Sequence, residues 1–125
     1  VGLKATDADK YPSQFSGGEL QRVCIARALA PNPRVVVFDE AVSSLDMLVQ
    51  ARVLKLIERI RDEQGLAFLF ISHDLRVVAG LCREVALMAD GVIAARGRSV
   101  EELAATGHPV IEELLASLPP AFPRR

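Results

Sequence analysis

The sequence has little of several things, and each shortage removes a class of function. Cysteine occurs twice in 125 residues, at Cys24 and Cys82. The two form no close pair, so they read as buried thiols in a reducing compartment rather than as a bridge or metal ligands. Basic residues do not exceed acidic ones: 15 Lys and Arg stand against 16 Asp and Glu, with pI near 6.1. That balance leaves no electrostatic footprint for nucleic acid. No run of 18 apolar residues occurs, so nothing in the sequence reads as a membrane span. There is no internal repeat and no low-complexity tract. The opening residues Val1-Gly-Leu-Lys-Ala5 contain no initiator Met and make no signal peptide. The chain is therefore expected to be a piece of a longer protein. What is present suits a globular α/β core: 50% of residues are hydrophobic and 25% charged.

Two apolar runs organise the chain. Val35 to Phe38 runs into the adjacent acids Asp39 and Glu40. Leu66 to Ile71 runs into Ser72-His73-Asp74. Short unbroken apolar runs read as strands buried on both faces of a parallel sheet. Between them, Val49, Val53, Leu56, Ile57 and Ile60 recur at helical spacing. The polar turn Ser43-Ser44-Leu45-Asp46 caps that helix and Gly65 closes it. Strand, helix and strand make a right-handed crossover with parallel strands. Asp39, Glu40 and His73 are then expected at one edge of the sheet, where open α/β sheets bind ligands.

Upstream, Ser16 and Glu19 stand at capping-box spacing, so a helix starts at Gly17-Gly18 and runs to about Ala30. Leu20, Val23, Cys24 and Ala28 are expected to form its apolar face. Pro31 and Pro33 end it. Downstream, Asp74 caps a short helix to Leu81, and Asp90-Gly91 joins two strands as a hairpin. Ser99 and Glu102 form a second capping box. His108-Pro109 opens a last helix with an Ile111, Leu114, Leu115 stripe, and Pro119, Pro120 and Pro123 stop regular structure.

Four features thus follow in order: the Ser16-Gly17-Gly18 helix start, the Asp39-Glu40 strand end, the Ser43-Ser44-Leu45-Asp46 turn, and His73. Each has a plain reading by itself: a helix start, capping acids, a turn, a helix-flanking histidine. Nucleoside triphosphate hydrolysis uses all four together. One acid can hold Mg²⁺ while the other orients the attacking water. Helix-start N–H groups attract phosphate oxygens, and a histidine can stabilise charge on the γ-phosphate.

On these residues the sequence resembles the ATP-binding cassette (ABC) ATPases. Phe15-Ser-Gly-Gly-Glu19 is similar to their signature motif, usually Leu-Ser-Gly-Gly-Gln. Val35 to Glu40 resembles the Walker B strand, Ser43 to Asp46 the D-loop and His73 the switch histidine. The resemblance implies an α/β P-loop NTPase fold, of which this chain is the carboxy-terminal portion. Residues 1–98 would belong to the ATPase domain and 99–125 to a short helical extension. It implies Asp39 as the Mg²⁺ ligand and Glu40 and His73 as catalytic. Ser16, Gly17 and Gly18 would bind the γ-phosphate of ATP held by a second ATP-binding subunit, with Asp46 at the junction. Leu20 to Leu29 and Asp39 to Asp46 resemble the peptide/nickel importer ATPases, with Ala41 and Val42 closest to the nickel-importing branch. That implies nickel uptake, with di- or oligopeptide import as the alternative. It also implies transmembrane permease subunits, an extracytoplasmic solute-binding protein acting through them, and a peripheral place on the cytoplasmic face of the inner membrane.

The sequence departs from the family in two respects. It contains no Gly-Lys pair, so no Gly-x-x-x-x-Gly-Lys-Ser/Thr phosphate loop is present. These residues by themselves are therefore expected neither to bind ATP tightly nor to hydrolyse it, and a truncated, inactive fragment is a further alternative. Glu19 replaces the usual Gln, and its carboxylate is expected to fold back onto the Ser16 backbone N–H. A non-transport ABC protein of translation or DNA repair is disfavoured by the absence of basic patches and by the tail from His108.

Overall fold

The computed structural model describes residues 1–117. The expected breaks at Pro119, Pro120 and Pro123 lie outside the described residues. The chain divides into two compact units at Ile71 and Ser72.

In the first unit two short 3-10 turns, Ala5–Asp9 and Pro12–Gln14, lead into helix α1, Gly17–Leu29. Ile25 is its buried residue. The expected apolar face is turned away from the core: Leu20 and Ala28 are exposed, and Val23 and Cys24 are half-buried. The reason lies at Gly18. A Cβ there would sit 2.4 Å from Val49 Cγ1, so the bare backbone is what meets the neighbouring helix. Gly18 and Ile25 are two turns apart on one face. A glycine adds nothing to an apolar stripe, so the sequence pattern points to the wrong side. Arg22 lies on that face too, and its Nη1 donates to the Val1 carbonyl at 2.7 Å. The partly buried guanidinium is thus bonded to backbone.

Helix α2 is Met47–Gln64, with Val53, Leu56, Ile57 and Ile60 buried at helical spacing. Gly65 ends it at φ 63°, a left-handed position that glycine takes without a Cβ penalty.

Strands β1, Val35–Asp39, and β2, Ala67–Ile71, pair in parallel with Val35 opposite Ala67 and Asp39 opposite Ile71. The expectation that both faces are buried is corrected. Val36 and Phe38 are buried, and Phe68 and Phe70 lie against the Phe38 ring at 5.1 and 5.6 Å between centroids. On the opposite face Val35 and Val37 are each 58% exposed, Leu69 54% and Ile71 45%. The apolar run is real, but only one of its faces meets a covering layer among the described residues.

The second unit contains α3, Leu75–Leu81, β3, Val85–Ala89, β4, Val92–Gly97, α4, Val100–Ala104, and α5, Pro109–Ala116. β3 and β4 form the expected hairpin. Asp90 and Gly91 have φ of 50° and 78°, as a two-residue turn matched to strand twist requires. Leu75, Val85, Leu87, Val100, Leu103 and Ile111 form one core cluster. The last two helices therefore share a core with α3 and β3. The capping box at Ser99 is only half formed. Glu102 N–H donates to Ser99 Oγ at 3.2 Å, but the Glu102 carboxylate accepts from Arg98 N–H at 2.7 Å.

Candidate functional site

The Ser16 corner is a closed capping box. Glu19 N–H donates to Ser16 Oγ at 3.3 Å, and Ser16 N–H donates to Glu19 Oε2 at 2.9 Å. The Ser16 hydroxyl also donates to that oxygen at 2.9 Å. The backbone bond and the hydroxyl bond from Ser16 together hold the Glu19 carboxyl below its usual range. Glu19 is thus turned back onto the helix start, as its sequence position suggests. The first-turn N–H groups of a helix have no partner inside it, which makes this corner electropositive.

Asp46 caps α2. Its Oδ1 accepts from Leu48 N–H at 3.1 Å and from Val49 N–H at 3.0 Å. The Gly18–Val49 contact brings the two helix starts together. A cleft between them is lined by Ser16, Gly17, Gly18, Ser44, Asp46 and Arg52, among others. The structure therefore gathers four of the expected site residues on one cleft. It adds Arg52, which sequence reasoning missed; the only signal was a cation on the first turns of the helix that Asp46 caps.

Asp39 is the last residue of β1, exposed, on the bare face of the sheet. Glu40 follows it at φ 48°, left-handed for a residue with a side chain. Such a conformation costs on the order of 1–3 kcal/mol and persists only where the surroundings enforce it. Three hydrogen bonds to its backbone do so here. Glu40 N–H donates to the Ile71 carbonyl at 3.0 Å, and the Glu40 carbonyl accepts from Ser43 N–H at 3.2 Å and from Ser43 Oγ at 2.9 Å. The effect is a sharp turn at the carboxyl end of the strand that sends the Asp39 and Glu40 side chains to different surroundings. Asp39 stays in water, whereas Glu40 is half-buried with its Oε2 shielded from solvent. No sequence pattern marks a left-handed glutamate. His73 is exposed and belongs to the second unit, two residues beyond the end of β2.

The carboxylate of Asp39 is a hard oxygen donor in open solvent, which fits Mg²⁺. Among the described residues no group of three or more His, Cys, Asp or Glu could hold a metal alone. Mg²⁺ does not need one, because it takes one or two carboxylates and completes its shell with water and substrate phosphates.

The ABC transporter family profile matches residues 1–43. The nickel import ATP-binding protein NikE of Rhodospirillum rubrum is 47% identical over 98% of this chain, which spans 44% of that protein. The glutathione import ATP-binding protein GsiA of Pectobacterium atrosepticum is also 47% identical, over all of the chain and 20% of the relative. The oligopeptide transport ATP-binding protein OppD of Mycobacterium tuberculosis is 42% identical over the whole chain. The ATP-binding cassette MJ0796, solved as a post-hydrolysis dimer with ADP and Pi, superimposes with TM-score 0.65 at 30% identity. It is matched over 77% of this chain and 41% of its own. The ADP conformation of the cassette MJ1267 gives TM-score 0.70 at 28% identity, over 84% and 41%. The chain is part of an ABC transporter ATP-binding domain, with the α/β fold of the P-loop NTPases. It spans less than half the length of these relatives.

Proposed function

We propose that this chain is the carboxy-terminal part of an ATP-hydrolysing subunit of an ABC importer. The observation that carries the reading is the Asp39–Glu40 strand end, where three hydrogen bonds to its backbone hold a left-handed glutamate. Strain of that kind collects at functional sites. When bound, Mg²⁺ supplies charge neutralisation at the phosphates, and Asp39 is its ligand. Glu40 orients the attacking water and accepts its proton; its fixed backbone and half-buried carboxylate restrict the directions it can take. His73 donates to the γ-phosphate. Ser16, Gly17 and Gly18 cover the phosphates of ATP held by a second ATP-binding subunit, and Asp46 stands beside them at the junction. In that closed state the Ser16 hydroxyl exchanges its bond to Glu19 for one to a phosphate oxygen.

The subunit sits peripherally on the cytoplasmic face of the inner membrane, against transmembrane permease subunits. No helix among the described residues is long and apolar enough to cross a membrane. The solute proposed is nickel, supported by the similarity to NikE and by Ala41-Val42. The equal identity to GsiA, and the likeness to OppD, favour a second reading, glutathione or oligopeptide import.

The test is ATP turnover by the complete subunit, reconstituted with its permease and solute-binding protein in liposomes. The nickel reading expects turnover to rise several-fold with the nickel-loaded binding protein and not with peptides. Stimulation by peptides alone overturns the solute. Absence of Mg²⁺-dependent turnover under every condition overturns the hydrolytic function.

A further inference from the structure

The peptide groups on both sides of Glu40 are held. The one before it donates through Glu40 N–H to the Ile71 carbonyl at 3.0 Å. The one after it accepts, at the Glu40 carbonyl, from Ser43 N–H at 3.2 Å and from Ser43 Oγ at 2.9 Å. Peptide groups are planar, so with both fixed the Cα–Cβ bond of Glu40 keeps one direction. That direction belongs to φ 48°, where a residue with a Cβ stays only under restraint. Of these three bonds the one from Ser43 Oγ is the shortest, and it alone comes from a side chain. Ser43 is itself firmly seated. Val42 before it is 1% exposed, and the Val42 carbonyl accepts from Leu45 N–H at 3.2 Å. Asp46 then caps α2 through Leu48 and Val49 N–H. The hydroxyl therefore belongs to a turn anchored at both ends, and its bond carries that anchoring back to Glu40. Ser43 is exposed, so packing does not demand a serine there. Its hydroxyl nevertheless turns to the Glu40 carbonyl instead of to water.

We propose that Ser43 is a positioning residue for hydrolysis: its hydroxyl aims the Glu40 carboxylate at the attacking water by fixing the backbone beneath it. The inference rests on the reading of Glu40 as the base. Ser43 touches no reacting atom in this role and acts through Glu40. Without the hydroxyl, Glu40 keeps its carboxylate but is free to leave the left-handed region, and the carboxylate swings away from the water. The residues assigned to Mg²⁺ and to the phosphates are untouched. A misplacement of ~1 Å in a reacting group costs up to ~10²-fold in rate, and one restraint of three is lost here, so a fall of roughly tenfold is expected.

The experiment measures Mg²⁺-ATP turnover in the complete subunit for wild type, Ser43→Ala, Ser43→Thr, Glu40→Gln and the variant carrying both Ser43→Ala and Glu40→Gln. Ser43→Ala should lower kcat roughly tenfold and leave KM for ATP within about twofold of wild type. Ser43→Thr keeps a hydroxyl and should restore kcat to within about threefold of wild type. In the Glu40→Gln background Ser43→Ala should lower turnover no further, because no base remains to be aimed. Hydrogen exchange of the Glu40 amide, followed without ATP, should quicken several-fold in Ser43→Ala while far-UV circular dichroism stays unchanged. Wild-type kcat in Ser43→Ala overturns the proposal, as does an equal loss in Ser43→Ala and Ser43→Thr. A rise in KM alone, or an undiminished further loss in the Glu40→Gln background, overturns it in favour of direct contact between Ser43 and the nucleotide. Glu40→Gln turning over as fast as wild type removes the base itself. That outcome is distinct from the case in which Glu40→Gln is inactive and Ser43→Ala is not, where only the role of Ser43 fails.

Discussion

Gly18→Ala tests the packing that joins the two helix starts of the site. The new Cβ would lie 2.4 Å from Val49 Cγ1 and 3.8 Å from Val49 Cβ. Carbon atoms in contact prefer ~3.5–4.0 Å, so the first distance is short by about 1 Å. Val49 cannot easily turn aside, because a β-branched residue in a helix has one strongly preferred χ1. Relief must come from a strained rotamer or from shifting one helix, and overpacking of this kind costs ~1–3 kcal/mol. Against it stands the entropy that alanine removes from the unfolded chain, ~0.4–1 kcal/mol. The clash wins, and we expect a net loss of about 1 kcal/mol in urea unfolding followed by far-UV circular dichroism. Two controls isolate the cause. Gly17→Ala brings its Cβ to an ordinary 3.4 Å from a flexible Leu45 methyl and should be near neutral. Val49→Ala opens the space, so the double-mutant cycle should return a favourable coupling of ~1 kcal/mol or more. A Gly18→Ala protein as stable as wild type, or a coupling within ~0.5 kcal/mol of zero, would refute the contact.

Three further outcomes follow from the same geometry. Ser16 holds the Glu19 carboxyl below its ordinary value of 4.5, so the carboxylate's stabilisation is complete above that pH and fades as pH falls through the lowered value. The melting-temperature gap between wild type and Glu19→Ala should therefore be widest near neutrality and close in acid; a constant gap would mean the cap acts without the charge. Gly65→Ala forces a Cβ into a left-handed position at φ 63°, and should cost ~1 kcal/mol in thermal or urea unfolding. The 125-residue chain alone should show no Glu40-dependent ATP turnover in a phosphate-release assay, and turnover that Glu40→Gln removes would contradict this.

What could be read from the sequence was local. The Asp90-Gly91 turn, the Gly65 stop, the Asp46 and Asp74 caps and the Ser16–Glu19 box all involve partners within a few residues, and all formed. Crossover logic also gave the parallel pairing of β1 and β2. What could not be read depended on distant partners. The face that α1 buries is set by Val49 arriving at Gly18, 31 positions away, and a missing side chain leaves no trace in a hydrophobic pattern. Arg22 reaches back to the Val1 carbonyl for the same kind of reason. The exposure of Val37 and Leu69 was hidden because an apolar run states what a strand can bury, not which neighbours are there to cover it. At the site, the residue types of Asp39 and Glu40 were legible from motif order. The left-handed backbone of Glu40 was not, since Ile71 and Ser43 impose it from outside the dipeptide.

The central claim is that Glu40 is the base of an ATPase, and one measurement addresses it directly. In the complete subunit, Mg²⁺-ATP binding and steady-state turnover are compared between wild type and Glu40→Gln. The substitution keeps the size of the side chain and removes its capacity to accept a proton. The account predicts ATP binding within about twofold of wild type and a turnover lower by roughly 10²–10⁴. Hydrolysis at the wild-type rate in the Gln variant would contradict it.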